Sequence, residues 1–247
     1  MERLGRIVRL PMHGTGKMNM ERHLRQIALN EIGETGQSRL RGARVLVVGA
    51  GGLGSPLIAY LAGAGTGNIG ICDYDTVSIS NLQRQILYGE NDTGLPKAVL
   101  AAGKVKATDS SLHATAHNLK IGPGNAAGII SGYDIIADCC DNFETRYLLN
   151  DLCLSSGRIY VFGAVSAFSG QVSVFGYGSR PRSLRELFPD PPEEPSSPMP
   201  ITGTTAGITG TVMANQILKI ICGYGTVLSG KLWIYDSKKE ESSIVEL

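Results

Sequence analysis

A glycine-rich turn between residues 44 and 56, reading RVLVVGAGGLGSP, constrains the fold of this chain more than any other feature. Four apolar residues run directly into glycines, which is typical of a strand buried on both faces of a parallel sheet. The glycines let backbone N–H groups approach a phosphate, and a helix beginning near Leu53 directs its positive N-terminus to the same place. The glycines of this predicted nucleotide-binding turn are Gly49, Gly51, Gly52 and Gly54.

A second apolar run, Asn68–Cys72, is followed by an acidic residue about twenty positions after the turn. Asp73 is therefore placed to bind a ribose hydroxyl, although it could also simply end a strand. The glycine turn and this carboxylate together indicate a nucleotide. They do not by themselves distinguish a dinucleotide from a triphosphate.

Strand-like and helix-like segments alternate as far as residue 158. This alternation predicts an α/β fold with a Rossmann-like, doubly wound, mostly parallel sheet. Two β-rich runs, Ile159–Ala164 and Gly170–Phe175, then follow each other closely, so the sheet is expected to continue into antiparallel strands. We interpret residues 33–41 as a polar connector and the Pro/Ser-rich residues 178–205 as a long loop. Residues 19–31 are predicted to form an amphipathic helix.

Charge and cysteine content exclude several classes of protein. The net charge of +1 gives no overall field that attracts nucleic acid or membranes. Residues 1–44 contain nine basic and four acidic residues, which favours a solvated basic face, with an anion-facing segment as the alternative. The five cysteines form no C-x-x-C pair, which predicts a reducing, cytoplasmic compartment and no structural zinc. No apolar run approaches membrane-spanning length.

The segment Ser80–Gln85, SNLQRQ, favours a triphosphate over a dinucleotide. A hydride-transferring enzyme does not need Asn, Gln and Arg side chains here, whereas Arg84 offers a fork of donors to phosphate oxygens. Lys97 adds a point charge at a helix start. Asp141 follows a buried strand, where a carboxylate can hold Mg²⁺ that bridges phosphates. Together these residues predict a charged site for phosphoryl or nucleotidyl transfer.

Each of these charged residues also has a structural interpretation. Asp141 with Glu144 fits a helix capping box. Lys97 could be a solvated helix residue, and Arg84 could be surface charge.

Seven stretches of the chain together resemble the ThiF/MoeB/HesA family, the prokaryotic relatives of ubiquitin-activating enzymes. They extend from about residue 19 to near the C-terminus, and as a set they are far more specific than the glycine motif alone. The stretches are RQI (25–27), RVLVVGAGGLGSP (44–56), DYDTVSISNLQRQ (73–85), GLPK (94–97), DCCDNFETRYLLND (138–151), FGAVSAFSGQVSVF (162–175) and GKLWIYDS (230–237).

The resemblance implies an ATP-dependent adenylyltransferase. The C-terminal Gly-Gly carboxylate of a small ubiquitin-fold sulfur carrier protein would attack the α-phosphorus of ATP. Pyrophosphate would leave, and the carrier acyl-adenylate would serve sulfur transfer of the thiamine or molybdopterin type. The implied catalytic residues are Arg25, Arg84, Lys97 and Asp141. The implied nucleotide-binding residues are Gly49, Gly51, Gly52, Gly54, Asp73, Asp75, Ser80, Asn81, Gln83, Arg84, Lys97, Asp141 and Asn142.

The resemblance also implies a metal, an assembly and a domain organisation. Asp141 would coordinate Mg²⁺, and Arg25 would reach into the site of the partner subunit of a homodimer. Residues 1–18 would form an N-terminal extension and residues 19–247 one adenylation domain. Its nucleotide-binding half would be 44–158. Its antiparallel, carrier-binding half would be 159–247, with loop 178–205 crossing over the carrier tail.

The sequence departs from the family in its cysteines. The two C-x-x-C pairs that hold zinc in many members are missing, and residues 195–198 carry no cysteine where some members form a covalent link to the carrier. We therefore expect adenylation without zinc and without a covalent enzyme–carrier intermediate. A separate sulfur donor would supply any thiol chemistry.

Other functions stay open beside this one. The same fold could activate a modified tRNA nucleoside or a peptide carboxylate, although the near-neutral charge disfavours nucleic acid as a partner. A catalytically inactive nucleotide-binding scaffold is a further alternative. An NAD dehydrogenase would leave SNLQRQ and Asp141 without a role.

Overall fold

The computed structural model describes residues 20–179, 181–190, 192 and 199–247. The strands are β1 (Arg44–Val48), β2 (Asn68–Cys72), β3 (His113–His117), β4 (Ile135–Asp138), β5 (Ile159–Ser166), β6 (Ser169–Phe175), β7 (Lys231–Asp236) and β8 (Glu241–Glu246). The helices are α1 (Met20–Ile27), α2 (Gly33–Gly42), α3 (Gly54–Gly63), α4 (Lys97–Thr108), α5 (Ala126–Ile130), α6 (Phe143–Ser155), α7 (Leu184–Leu187) and α8 (Gly203–Cys222). Short 3₁₀ turns cover Ile79–Asn81 and Glu90–Asp92.

The eight strands form one mixed sheet in the order β3-β2-β1-β4-β5-β6-β7-β8. The first five strands of the chain are parallel, and β6, β7 and β8 add to β5 in antiparallel pairs. In the register of β1 with its neighbours, Val48 pairs with Cys72 on one side and with Asp138 on the other. The predicted α/β fold is therefore confirmed, including the change from parallel to antiparallel strands.

The apolar strand β1 is buried on both faces. Val45 and Val47 belong to a core shared with α3, α4 and α8, whereas Leu46 and Val48 belong to a second core shared with α5 and α6. Helices on both faces of the parallel strands explain why this run is continuously apolar rather than alternating. Among the described residues, no helix combines the length and apolar content needed to cross a bilayer.

Residues 33–41 belong to helix α2, so the prediction of a polar connector was wrong. Gln37 and Leu40 are buried, and Gln37 Nε2 donates a hydrogen bond to the carbonyl of Ala64 at 3.0 Å. Gly36 lies against Cys222 at the end of α8. These tertiary contacts stabilise a helix that contains several glycines.

The helix predicted over residues 19–31 is shorter than expected and ends at Ile27, before a turn into α2. Asn19 and the predicted extension 1–18 lie outside the described residues.

The described part of the predicted loop 178–205 contains the one-turn helix α7 and is anchored to the rest of the protein. Leu184 is fully buried, and the Tyr147 hydroxyl donates to the Phe188 carbonyl at 2.8 Å. Farther along, the Ala167 N–H donates to the Pro200 carbonyl at 2.7 Å. The stretch 195–198, where some family members carry a cysteine, lies outside the described residues.

Candidate active site

The carboxyl ends of β1, β2 and β4 lie side by side and bring three predicted segments together. Gly49 follows β1 and has a φ of +94°, which only glycine adopts without strain. A Cβ atom at this position would lie 2.6 Å from the carbonyl oxygen of Cys139, so the turn packs directly on the loop after β4. The Gly49 N–H donates to the Cys72 carbonyl at 2.8 Å. The glycine turn is thus held between the loops that carry Asp73 and Asp141.

Two other glycines of the turn have different surroundings. A Cβ atom on Gly54, at the start of α3, would overlap the carbonyl oxygen of Gly49. A Cβ atom on Gly52 would lie 3.2 Å from the Cβ of Ala206 and 3.4 Å from the Cγ of Arg84. Gly54 therefore serves the packing of the turn, whereas Gly52 faces a wall formed by Arg84 and the first turns of α8.

Asp73 is bonded to the glycine turn. Its Oδ2 accepts a hydrogen bond from the Ala50 N–H at 2.7 Å, and its Oδ1 accepts one from the Asp75 N–H at 2.8 Å. Burial raises the pKa of Asp73, although these two N–H groups and nearby Lys97 favour the ionised form. Each carboxylate oxygen can accept a further hydrogen bond, so Asp73 can position the turn and bind a ribose hydroxyl together.

Lys97 begins α4 and is buried beside the acidic loop. Its Nζ lies 3.1 Å from Asp75 Oδ2, and its side chain is only 5% exposed. The interpretation of Lys97 as a solvated helix residue is therefore wrong. The hydroxyl of Tyr88 donates to the carbonyl of Ala50 at 3.0 Å and lies 3.4 Å from the carbonyl of Lys97. Tyr88, which the sequence patterns did not indicate, thus connects the glycine turn to the helix that carries the lysine.

The SNLQRQ segment forms a compact polar turn beside the glycines. Arg84 is half-buried, and its Nη1 donates to the Ser80 carbonyl at 3.1 Å. Asn81 Oδ1 accepts from the Ser78 N–H at 3.3 Å, and Gln83 is exposed. The position of Arg84 against Gly52 disagrees with its interpretation as free surface charge.

Gln85 is a further site residue that the sequence patterns did not single out. It is 4% exposed and lies against Gly51. Within the part of the chain that the structure describes, its Oε1 makes no hydrogen bond. A buried polar atom without a partner next to the glycine turn is consistent with a site that is completed by a ligand. The signal available in the sequence was its place at the end of SNLQRQ.

The Asp141 loop leads from β4 into α6. Asn142 is the N-cap of α6, and its Oδ1 accepts from the Thr145 N–H at 2.9 Å. The interpretation of Asp141 and Glu144 as a helix capping box is therefore wrong. The Asp141 side chain is exposed. Its Oδ1 accepts a long hydrogen bond of 3.4 Å from Asn142 Nδ2. Its carboxylate remains available to a ligand, whereas the side-chain oxygen of Asn142 is used by the cap.

The donor set at Asp141 fits Mg²⁺. Magnesium is usually held in nucleotide sites by one or two carboxylates together with substrate phosphates and waters. Among the residues that the structure describes, no cluster of three or more His, Cys, Asp or Glu side chains is suited to a metal ion. The expected absence of zinc stays a prediction.

Arg25 does not lie with the other predicted catalytic residues. The neighbouring Gln26 donates to the carbonyl of Ala64, just beyond the far end of α3, at 3.1 Å. Helix α3 starts at the glycine turn and has ten residues, so it is about 15 Å long. Arg25 is therefore at the opposite end of α3 from the turn of its own chain, and its side chain is exposed.

Within the described part of the first 44 residues, most basic side chains make contacts inside the protein. Four of the five described arginines up to residue 44 make ion pairs or hydrogen bonds with groups in other elements: Arg22 with Asp109, Arg39 with the Cys222 carbonyl, Arg41 with Ser111, and Arg44 with Asp134. Arg25 is the exception, with no hydrogen bond or ion pair among the described residues. Arg25 is thus the member of this group that is free to contact another molecule.

Comparison with known proteins identifies relatives over most of the chain. The model of the ThiF family matches residues 23–247. The sulfur carrier protein adenylyltransferase of Thermus thermophilus is 40% identical over 229 residues, which are 90% of this chain and 84% of that protein. A probable adenylyltransferase/sulfurtransferase MoeZ of Mycobacterium tuberculosis is 40% identical over 235 residues, or 92% of this chain. The chain spans 60% of the length of MoeZ.

Solved structures share the fold. E. coli MccB with AMPCPP and MccA has a TM-score of 0.82 at 18% identity, covering 94% of this chain and 72% of that one. PaaA has a TM-score of 0.80 at 21% identity, covering 94% of this chain and 74% of that one. The family model and the relatives near 40% identity confirm the resemblance that the sequence motifs indicated. The chain belongs to the ThiF family.

Proposed function

We propose that the chain is an ATP-dependent adenylyltransferase that activates the C-terminal carboxylate of a ubiquitin-like sulfur carrier protein ending in Gly-Gly. The observation that carries this proposal is the convergence of the glycine turn, two cationic side chains and a free carboxylate at one edge of the sheet. Arg84 and the buried Lys97 supply the positive charge, and Asp141 supplies the carboxylate. The name of the Thermus thermophilus relative supports a sulfur carrier as the substrate.

The chemistry is an in-line displacement at the α-phosphorus of ATP. A carboxylate oxygen of the carrier forms the new bond to phosphorus while the bond to the pyrophosphate oxygen breaks and its electron pair leaves with pyrophosphate. The attacking carboxylate is already ionised at neutral pH, so no general base is required. Positioning and charge neutralisation therefore dominate the catalysis.

The residues of the site divide this work among them. The N–H groups of the glycine turn and the N-terminus of α3 bind phosphate, and Asp73 binds the ribose. Arg84 and Lys97 stabilise the charge that builds up on the departing pyrophosphate. Mg²⁺, when bound with Asp141 as its protein ligand, would neutralise charge on the phosphate oxygens.

The state of the cysteines supports adenylation without a covalent intermediate. All five cysteines are free, and burial raises the pKa of each thiol. Cys139 and Cys140 follow β4 beside the site, but their pKa values are raised well above the usual range by burial and by Asp138. The thiolate is the nucleophilic form, so none of these groups is prepared to attack the adenylate.

We further propose a homodimer in which Arg25 acts on the partner's site. Its distance from the turn of its own chain and its exposed, unpaired side chain support this role. The adenylate would leave the site without passing through any of the five cysteines, so the sulfur would come from a donor other than these thiols.

Isotope exchange between ATP and pyrophosphate tests the proposed function. Exchange is expected with a Gly-Gly-ending carrier, and its loss is expected with the same carrier lacking the last two residues or with Asp141→Ala. Verified binding of ATP and carrier without exchange would contradict the proposal. Exchange driven instead by tRNA or by a peptide carboxylate would favour the alternative activators of the same fold.

A further inference from the structure

A buried arginine lies directly beneath the loop that carries Asp141, and the chemistry described above gives it no role. Arg146 is in the first turns of α6 and is 5% exposed. Asp138, the last residue of β4, is fully buried nearby. A buried charge is costly unless it is well bonded, so the contacts of this arginine indicate what it holds in place.

The guanidinium of Arg146 connects the Asp141 loop to strand β5. Its Nη2 donates to the Cys140 carbonyl at 2.6 Å, and its Nη1 donates to the Gly163 carbonyl at 3.2 Å. Nη1 also lies 3.9 Å from Asp138 Oδ2. The planar fork of an arginine reaches two acceptors at fixed separation, which the single ammonium of a lysine cannot do. The Cys140 carbonyl belongs to the peptide group that leads into Asp141, so this bond fixes that peptide plane.

The other side of Cys140 is held as well. Its N–H donates to Asp138 Oδ1 at 2.9 Å. The Tyr160 hydroxyl donates to Asp138 Oδ2, and burial together with Asp138 raises the pKa of Tyr160 well above its usual range, so it keeps its proton. Both backbone polar groups of Cys140 are therefore bonded to buried charged side chains.

Three aromatic rings enclose this arrangement. The guanidinium carbon of Arg146 lies 5.4 Å from the ring centre of Phe143 and 5.0 Å from that of Phe162. Phe188, in the described part of loop 178–205, packs against both rings at 5.4 and 6.2 Å. Charge-assisted hydrogen bonds are stronger and better defined where water is excluded.

We propose that Arg146 is a positioning residue that fixes the Cys140–Asp141 peptide and thereby holds the Asp141 carboxylate where Mg²⁺ on ATP meets it. This inference rests on the proposed function, because it takes Asp141 as the magnesium ligand. A purely structural arginine would affect all ligand binding alike. A positioning residue affects the metal-dependent part alone, since the glycine turn and Asp73 bind ATP without Asp141.

Equilibrium binding of a nonhydrolysable ATP analogue, measured by titration calorimetry with EDTA and with Mg²⁺, separates these cases. Arg146→Lys keeps the charge but loses the fork. Its metal-free affinity is expected to stay within about twofold of wild type. The gain in affinity on adding Mg²⁺ is expected to fall about tenfold, as it does when a residue that orients a metal ligand is changed. Asp141→Ala is expected to lose the same gain.

Arg158→Lys is the matched control. Arg158 also bonds a carbonyl and an acid, Ser131 at 3.2 Å and Asp134 at 3.3 Å, but it precedes β5, away from the Asp141 loop. Its affinities for the ATP analogue with EDTA and with Mg²⁺ should both match those of wild type. If Arg146→Lys does not fold, Tyr160→Phe decides, with a smaller loss of the same gain expected.

Two results would overturn the inference. The first is a variant, Arg146→Lys or its replacement Tyr160→Phe, that keeps the full gain in affinity on adding Mg²⁺. The second is a variant whose metal-free affinity falls by the same factor as that gain. A wild-type protein that shows no gain in affinity with Mg²⁺ would instead contradict the part of the proposed function that makes Asp141 the magnesium ligand.

Discussion

The ammonium group of Lys97 lies 3.1 Å from the carboxylate of Asp75, and the two side chains differ sharply in exposure, at 5% and 52%. The buried partner depends on the exposed one for its charge to be balanced. The exposed partner can be solvated by water if the lysine is removed. The pair therefore responds asymmetrically to mutation.

Asp75→Ala is expected to lower the free energy of unfolding by about 1–3 kcal/mol, because a buried donor loses its acceptor. Lys97→Met keeps the apolar stem and should cost less stability, but it should reduce ATP–pyrophosphate exchange by about 10²–10³-fold through lost charge stabilisation. Urea unfolding and exchange assays on the two variants check that Asp75→Ala loses more stability and Lys97→Met loses more activity. The prediction is contradicted if one variant is the more impaired in both assays.

The glycine turn separates packing from ligand binding. Gly54→Ala is expected to destabilise the fold by at least about 2 kcal/mol, since the new methyl group overlaps the Gly49 carbonyl. Gly52→Ala should cost less stability than Gly54→Ala, because its methyl group meets only side-chain atoms, at 3.2 Å from Ala206 and 3.4 Å from Arg84. It should bind ATP at least about tenfold more weakly, because the methyl group displaces the Arg84 side chain from the glycine turn. Gly63→Ala, at the open end of α3, is the control and should gain up to about 0.5–1 kcal/mol. Thermal unfolding and ATP titration of the three variants give the comparison.

The thiols are expected to react slowly with a disulfide reagent in the folded protein. Burial raises the pKa of Cys72 and Cys153 from 9.0 to about 12, which lowers the thiolate fraction near neutral pH about a thousandfold. Titration with a chromogenic disulfide should detect five thiols after denaturation and little reaction before it. A thiol of the native protein that reacts at the rate of free cysteine would reopen the question of a covalent carrier intermediate.

The trans role of Arg25 predicts complementation between two inactive variants. In a mixed dimer of Arg25→Ala and Asp141→Ala chains, one site has both residues intact and the other has neither. Random pairing makes half of the dimers mixed, so co-expression should restore about a quarter of the wild-type exchange activity. No recovery in verified mixed dimers would place the action of Arg25 elsewhere.

The raised pKa of Asp73 predicts an acid limit on nucleotide binding. A carboxyl whose pKa is raised takes up its proton at a higher pH than usual, and the protonated group loses one of its acceptor positions. ATP affinity should therefore fall as the pH decreases through this pKa. Asp73→Asn should bind more weakly at neutral pH but lack this part of the pH dependence. Parallel pH series of the two proteins separate it from the titration of ATP itself.

The residues that sequence patterns located correctly are those whose positions follow from local rules. Strand β2 was predicted with its observed bounds, and Lys97 was predicted at a helix start, where α4 begins. Asp73 and Asp141 were found because residues that follow neighbouring parallel strands meet at one edge of a sheet. These inferences need only periodicity, turn residues and the register of a doubly wound sheet.

The features that the sequence could not supply depend on partners far away in the chain. The sequence of helix α2 is polar and glycine-rich, and its packing against α8 is not visible in it. The role of the Tyr88 hydroxyl likewise depends on its hydrogen bond to the Ala50 carbonyl. The sequence does not distinguish Arg146 from other charged helix residues, because its acceptors lie on a loop and on another strand. Local patterns do not encode these distances.

Helix α8 determines when the site can form during synthesis. Ala206, near the start of α8, lies against the glycine turn. Arg39, 183 positions before Cys222 in the chain, donates a hydrogen bond to the Cys222 carbonyl at the end of α8. A nascent chain that has left the ribosome only through β5 carries the glycine motif without these contacts. Non-local contacts of this kind form late and slow the folding of a domain. We therefore expect ATP binding to arise only after α8 has been translated, so the nucleotide-binding half acquires its activity from residues that follow it in the chain.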